Sequence, residues 1–356
     1  MTTPILRLSG SKKGRSRSLP MIILGIESSC DETAAAVVES GRRVLSSVVS
    51  SQIDVHNKYG GVVPELASRK HIEAIVPVVE EAIRTAGLRQ DGLDAVAATQ
   101  GPGLIGALLI GFSFAKAFAY ARNLPWVGVN HLEGHISSVF LGETPPEFPF
   151  VALMVSGGHT SIYYVTSHTE YALMGQTRDD AVGEAYDKVS KMLGLGYPGG
   201  GVIDRLAAKG DPTAIKFPRS WLDKKGFDFS LSGLKTSVNR CIQLEGGKHT
   251  HEDIAASFQE AVVEVLAHKI LNAAKVRRCK HLAIVGGVAA NSRLREKVRS
   301  DAMESGIRVH IPAIEYCGDN AAMIAAVGYH NLAAGKISGF DSDVYSRPKL
   351  SPGKHK

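Results

Sequence analysis

The chain has 356 residues, of which 44% are hydrophobic, 21% charged and 6% aromatic, and this composition excludes a disordered chain, a collagen or a disulfide scaffold. The net charge of +6 sits at the ends: Arg7, Lys12, Lys13, Arg15 and Arg17 before residue 21, and Arg347, Lys349, Lys354 and Lys356 after residue 345, have no acid among them. The body between is slightly acidic, so a polyanion must be met by local patches or by the tails.

This length predicts two lobes of about 150 residues each. Residues 1–20 are basic and acid-free, and read as a disordered extension or as a start misassigned ahead of Met21. The N-terminal α/β lobe is expected over 21–147. MIILGIE (21–27) and AAAVVE around the polar turn SSCDET form a hairpin, and RRVLSSVVSSQ a third strand. ELASRKHIEAIVPVVEEAIRTAG is a helix with Ile72, Ile75, Val76, Val79 and Ile83 on one face and a kink at Pro77. A strand over 93–100, the apolar helix of 103–121 and a strand over 125–129 follow. The apolar helix approaches membrane-spanning length, but Lys116 and its small residues make it a buried helix, and no membrane is expected.

The pattern then restarts in a C-terminal lobe over 148–313. Two β-rich runs flank SGGHT (150–165), followed by a helix over DDAVGEAYDKVSKMLGL, a Gly-rich loop GYPGGG, a basic irregular stretch to about 250, and a long helix to about 276. Two further strand–helix pairs end the chain, with 314–345 carrying Asp319 and a basic tail over 346–356. Two such lobes facing one cleft have the arrangement of the two-lobe actin-like and Hsp70-like ATPase fold, built from duplicated ribonuclease-H-like domains.

Several motifs carry chemistry. There is no P-loop, and the GxGxxG of Gly101, Gly103 and Gly106 lacks the acid a ribose would need, so it reads as a tight turn. The glycine-rich turns at Ser156–Gly158, 196–204 and 286–291 suit nucleotide phosphates, because small residues let backbone N–H groups approach an anion. His131 and His135 are four apart, so on a helix both imidazoles share one face and suit one metal or a packed core. Glu133 is misplaced for HExxH. Asp319 is either an N-cap or the carboxylate that completes a metal site. Lys209, Lys216, Arg219, Lys224, Lys225, Lys235 and Arg240 interleave with Phe217, Trp221, Phe227 and Phe229, which reads either as an RNA surface or as a solvated loop with buried aromatics. KVRRCKH (275–281) is a second basic cluster. Cys30, Cys241, Cys279 and Cys317 form no CxxC pair, which fits a reducing cytosol.

GIESSCDETAAAVV, GGVVPELASRKH, TQGPGLIGALLIG, NHLEGH, LMVSGGHT, GEAYDKVSKMLGLGYPGG, FSLSGLKTSV, GGVAAN and CGDNAAM occur in order from about Met21 to about Leu332. Together they resemble the tRNA threonylcarbamoyl-adenosine transferases, in particular the bacterial TsaD type once described as a sialoglycoprotein endopeptidase. The resemblance implies an acyltransferase that moves the threonylcarbamoyl group from threonylcarbamoyl-AMP to the N6 amine of adenosine 37 in tRNAs reading codons that begin with A. It implies one divalent metal, iron before zinc, on His131, His135 and Asp319. It carries substrate binding to Met154, Val155, Ser156, Gly157, Gly158, Asp187, Gly200, Asp204 and Asn291, and it sets Asp31 and Glu32 where a reactive group is expected. Partners implied are the tRNA anticodon loop, an inactive paralogous subunit and an ATPase subunit; the helices of 65–86 and 104–121, with apolar residues beyond one face, read either as docking surfaces or as plain core. A cytoplasmic location is expected, with a mitochondrial one as the alternative. Rival readings are an ATPase or kinase of the same fold and a nucleotide-binding scaffold.

Overall fold

Two stretches of mostly buried, β-branched sequence build two sheets with one topology. The computed structural model describes residues 20–221, 226–244 and 247–347. In the first sheet β1 (Ile22–Glu27), β2 (Glu32–Glu39) and β3 (Arg43–Ser51) form an antiparallel meander, while β4 (Ala95–Gly101) and β5 (Trp126–Asn130) extend it in parallel from β1. The order is β3-β2-β1-β4-β5. Helices α1 (Ile53–Asn57), α2 (Pro64–Thr85) and α3 (Ile105–Arg122) connect these strands, and the short α4 (His131–Ser137) leaves β5 directly. In the second sheet β6 (Phe150–Val155), β7 (Thr160–Ser167) and β8 (Glu170–Gln176) repeat the meander, and β9 (His281–Val285) and β10 (Arg308–His310) repeat the parallel extension. Its order, β8-β7-β6-β9-β10, is the first order strand for strand. The fold is thus a duplicated α/β unit.

The second lobe's helices are α5 (Val182–Met192), α6 (Gly199–Ala207), α7 (Ser232–Leu244), α8 (His251–Val276) and α9 (Ser292–Glu304). The last helix, α10 (Ala321–Ala333), follows the second lobe in sequence but packs on the first sheet. Ala322, Met323 and Ala325 share a core with Ile23, Ala34, Ala36, Ala95 and Ala97. Close approach explains the glycines there: a Cβ on Gly25 would stand 2.9 Å from Ala325 Cβ, and closer still to the Ala321 carbonyl. Beyond α10 the chain returns along the first lobe as a strap. Ser338 N donates to Trp126 O at 3.0 Å, Gln100 Nε2 to Asp343 O at 2.7 Å, and Tyr345 N to Gln100 O at 3.1 Å.

Several expectations need correction. Strand β8 was not anticipated: YALMGQ is a half-exposed edge strand whose apolar signal is weak. The GYPGGG loop is in part helix, since α6 begins at Gly199. In α2, a single helix that includes Pro77, Ile72 and Val76 point outward at 61% and 48% exposure; Ala67, His71, Ile75, Val78, Val79, Ala82 and Ile83 are buried. Ile75, Val79 and Ile83 of the expected face are therefore buried as expected, and only Ile72 and Val76 fall on a second apolar face. Phe217 and Phe229 lie in the core of the second lobe with Trp221 and Phe227 packed against it, Arg219 pairs with Glu264 at 2.6 Å, and Lys235 pairs with Asp180. Among the described residues, the aromatics of that stretch therefore pack on the core, and Lys235 and Arg240 lie on α7; Lys224 and Lys225 lie outside the described residues. The same holds for the expected extension up to residue 19 and for the tail from 348. Helix α3, long and apolar enough to cross a membrane by length and composition, buries Ala107, Leu108, Gly111, Phe112, Ala115 and Ala119 in the first lobe, and its Lys116 Nζ donates to Ser342 O at 2.9 Å.

Candidate metal centre and nucleotide cleft

The turn from β5 into α4 sets the first two donors. Asn130 Oδ1 caps α4 by accepting from Leu132 N at 2.9 Å and Glu133 N at 3.4 Å, so the helix starts at His131 and puts His135 one turn later on the same side. Both histidines are buried and their rings meet edge to face, 4.7 Å between centroids. The third donor arrives with α10. Its N-cap is Asn320, whose Oδ1 accepts from Met323 N at 3.0 Å, so Asp319 is released from capping, which had been the competing reading. Asp319 Oδ1 lies 3.1 Å from His135 Nε2 and 3.5 Å from His131 Nε2.

These atoms fit a metal ion. All three ligand atoms lie within 4.8 Å of one another, and the two donor separations from Asp319 are close to the roughly 3 to 3.5 Å that bonds of about 2.1 Å require. Two imidazoles and one carboxylate suit iron or zinc. The electrostatics agree: burial draws the His131 imidazole down, yet the Asp319 and Glu27 carboxylates outweigh it and hold the group up at about 9. Burial draws His135 down, and although burial raises the Asp319 carboxyl, the two imidazoles pull it well below its ordinary range. The Glu27 and Asp319 carboxylates thus gather negative charge around two buried imidazoles, a setting that favours a cation.

Sequence reasoning missed a further carboxylate here. Glu27, fully buried at the end of β1, accepts from His131 Nδ1 at 3.0 Å and from Thr99 Oγ1 at 2.6 Å. The only available signal was an acid closing an otherwise apolar strand. Beside it, Asp31 is buried, and burial with the Asp319 and Asp31 carboxylates pushes Glu32 up to about 9.

The second lobe faces this cluster with its own hairpin. Ser156 Oγ accepts from His159 N at 3.1 Å, and Ser156 O accepts from Gly183 N at 3.1 Å, which ties the turn to the start of α5. A Cβ on Gly157 or Gly158 would meet nothing within 4 Å, so both exposed α-carbons border open space; a Cβ on Gly183 would strike Gly157. Met154 and Val155 are fully buried in β6, directly behind the turn. Asp187 Oδ1 accepts from Gly199 N at 2.7 Å, and its carboxyl is raised by burial and by Asp31 of the other lobe. His159, another residue missed, is drawn down to about 4 by burial and by His131 and His135. These cross-lobe effects bring the predicted residues of both hairpins into one cleft. Gly200 stands in the first turn of α6 with open space at its α-carbon. Asp204 and Asn291 meet: Asn291 Nδ2 donates to Asp204 Oδ1 at 3.0 Å and to Gln259 Oε1 at 2.7 Å, while its Oδ1 caps α9.

Comparison with known proteins now bears on this geometry. The sequence model of the family TsaD, tRNA N6-adenosine threonylcarbamoyltransferase, matches residues 43–326. The chain belongs to that family. A relative from Desulforapulum autotrophicum carrying the same name is 60% identical over 93% of this chain and 100% of its own. One from Syntrophus aciditrophicus is 54% identical over 92% and 97%. Solved structures agree on the fold alone. HypF from T. kodakarensis superposes with a TM-score of 0.61 at 16% identity, covering 90% of this chain and 50% of that one. The (R)-2-hydroxyglutaryl-CoA dehydratase component A of Acidaminococcus fermentans gives 0.54 at 14% identity, over 88% and 99%. The actin-like ATPase fold read from the motifs is thereby established, and the family's activity is tRNA threonylcarbamoyladenosine modification.

Proposed function

We propose that this chain takes threonylcarbamoyl-adenylate as donor and moves the threonylcarbamoyl group onto N6 of adenosine 37 in tRNAs reading codons that begin with A. The observation that carries the reading is the convergence of His131, His135 and Asp319 opposite the open turn of Ser156, Gly157 and Gly158. His131, His135 and Asp319 would hold a divalent ion, Fe2+ or Zn2+, which would supply positive charge to the carbamoyl group.

The rest is done by the chain's own groups. Backbone N–H groups of Gly157 and Gly158 hold the adenylate phosphate, Ser156 N being taken by His159 O at 2.9 Å, and Met154 and Val155 back the turn from β6. Asp187, Gly200, Asp204 and Asn291 bound the nucleoside side, and the Asp204–Asn291 bond keeps both polar ends in one orientation. Asp31 and Glu32 face the same space, and burial with the neighbouring Asp319 and Asp31 carboxylates raises the Glu32 carboxyl. The carbonyl carbon forms a bond to N6, the bond to the adenylate oxygen breaks, AMP leaves and N6 gives up one proton. Holding donor and amine in line removes most of the entropic barrier. A single-stranded anticodon loop is able to turn its base into such a cleft.

An inactive paralogous subunit and an ATPase subunit complete the assembly. The exposed Ile72 and Val76 of α2 and Ile105 and Leu109 of α3 support a docking face for the paralogue. The cytoplasm is the location we propose. The test is transfer in vitro: purified chain with its partner subunits, synthetic threonylcarbamoyl-adenylate and an unmodified tRNA transcript, read by nucleoside chromatography. Modified adenosine formed by the wild type and absent with Asp319→Asn supports the reading. ATP turnover without tRNA, and no modified nucleoside, would point to an ATPase of this fold.

A further inference from the structure

We propose that Glu27 is a positioning residue for the metal centre, holding His131 in the tautomer and orientation that turn Nε2 toward the ion. The inference rests on the metal site proposed above and on the strand register. Ile26 of β1 lies opposite Ala98 of β4, and Thr99 of β4 opposite Val129 of β5, all in parallel pairing. The register therefore lines up Glu27, Thr99 and the start of α4 at the carboxyl ends of three adjacent strands, and Glu27 meets His131 across the width of β4.

Glu27 is fully buried, and among the described residues its only ion-pair partner is His131. A lone carboxylate in that position is very unfavourable unless each oxygen is bonded. Both are: Oε1 accepts from Ser29 N, and Oε2 accepts from Thr99 Oγ1 and His131 Nδ1. Two neutral donors clamp the carboxylate so that its remaining direction points at one imidazole nitrogen. An imidazole that donates Nδ1–H to a carboxylate presents its Nε2 lone pair, and that bond also raises the ligand's basicity. Nε2 is the nitrogen that faces Asp319. His135 has no such support, because its Nδ1 is buried without a partner. The centre is therefore asymmetric, with His131 the anchored donor.

The test measures zinc affinity by competition with a chromophoric chelator, and the absorption of the cobalt(II)-substituted protein, for the full chain with Glu27→Gln and Thr99→Val. Glu27→Gln is expected to weaken zinc binding by about 10- to 100-fold and to change the cobalt spectrum, with the apoprotein still folded by circular dichroism. Thr99→Val keeps the carboxylate but removes one clamp, and a loss of several-fold is expected; it also decides the matter if Glu27→Gln does not fold. Wild-type affinity and an unchanged spectrum in the folded variants overturn the positioning role while leaving the metal site intact. A wild type that binds neither zinc nor cobalt overturns the metal reading and this inference together.

Discussion

Replacing Gly25 with alanine loads the contact through which α10 rests on β1. The new Cβ would stand 2.9 Å from both Ala325 Cβ and Ala325 N and nearer still to the Ala321 carbonyl, where ordinary contact begins at 3.4 Å. Backbone on both sides leaves no flexible group to yield, so the first turn of α10 must withdraw by about 1 Å in a closely packed core. Such overpacking destabilises by about 1 to 3 kcal/mol. The more informative effect is on the site: Asp319 lies two residues before α10 and moves with it, away from His131 and His135. A misplacement of about 1 Å is enough for a loss on the order of 100-fold in transfer. The assay pairs thermal unfolding with zinc affinity and single-turnover transfer, using Gly142→Ala as control, since a Cβ there meets only Val139 O at 3.8 Å. Wild-type zinc affinity in a Gly25→Ala protein that has lost the expected stability would refute the coupling between the α10 seat and the metal centre.

Other consequences follow from the same geometry. Tyr345→Phe removes the hydroxyl that accepts from Asn130 Nδ2 at 3.0 Å, frees the amide that caps α4, and should lower stability by about 1 kcal/mol with a several-fold weaker zinc affinity by chelator competition. Adding zinc to a hundred times its dissociation constant should stabilise the protein by about 2.7 kcal/mol, about 4 °C at this chain length, and EDTA should reverse the shift in a thermal scan. His168 and His330 stack with centroids 3.5 Å apart, and burial lowers both, His330 to about 4. The unfolded chain protonates these rings first as pH falls below about 6.5, so their contribution is complete above that pH and is lost on the way down to 4. Urea unfolding across this range should show the decline, and His330→Phe should flatten it.

The motifs that point to chemistry were legible because their residues are close in sequence or unusual in type. HLEGH puts two imidazoles one helical turn apart, and SGG marks an anion-approachable turn, whatever the rest of the fold does. What escaped depended on packing between distant segments. Glu27 reads as the polar end of a strand until the β1-β4-β5 register brings it to His131. The choice of Asn320 over Asp319 as N-cap turns on one residue of helix phase, which no local preference decides. Ile72 and Val76 look like core because apolar spacing alone does not say which of two apolar faces meets the sheet. Phe217 and Phe229 looked equally suited to bases or to a core, and the hydrophobic interior of the second lobe claimed them. Strand β8 was lost because an edge strand needs little burial, while its place completes the match between the two sheets.

The central claim, a transfer that depends on His131, is tested most directly by mass spectrometry of nucleosides from total tRNA after depletion of this protein, with wild-type or His131→Ala copies supplied back. The account predicts that threonylcarbamoyl-adenosine disappears on depletion and returns only with the wild type. Persistence of the nucleoside after depletion, or its full return with His131→Ala, would contradict it.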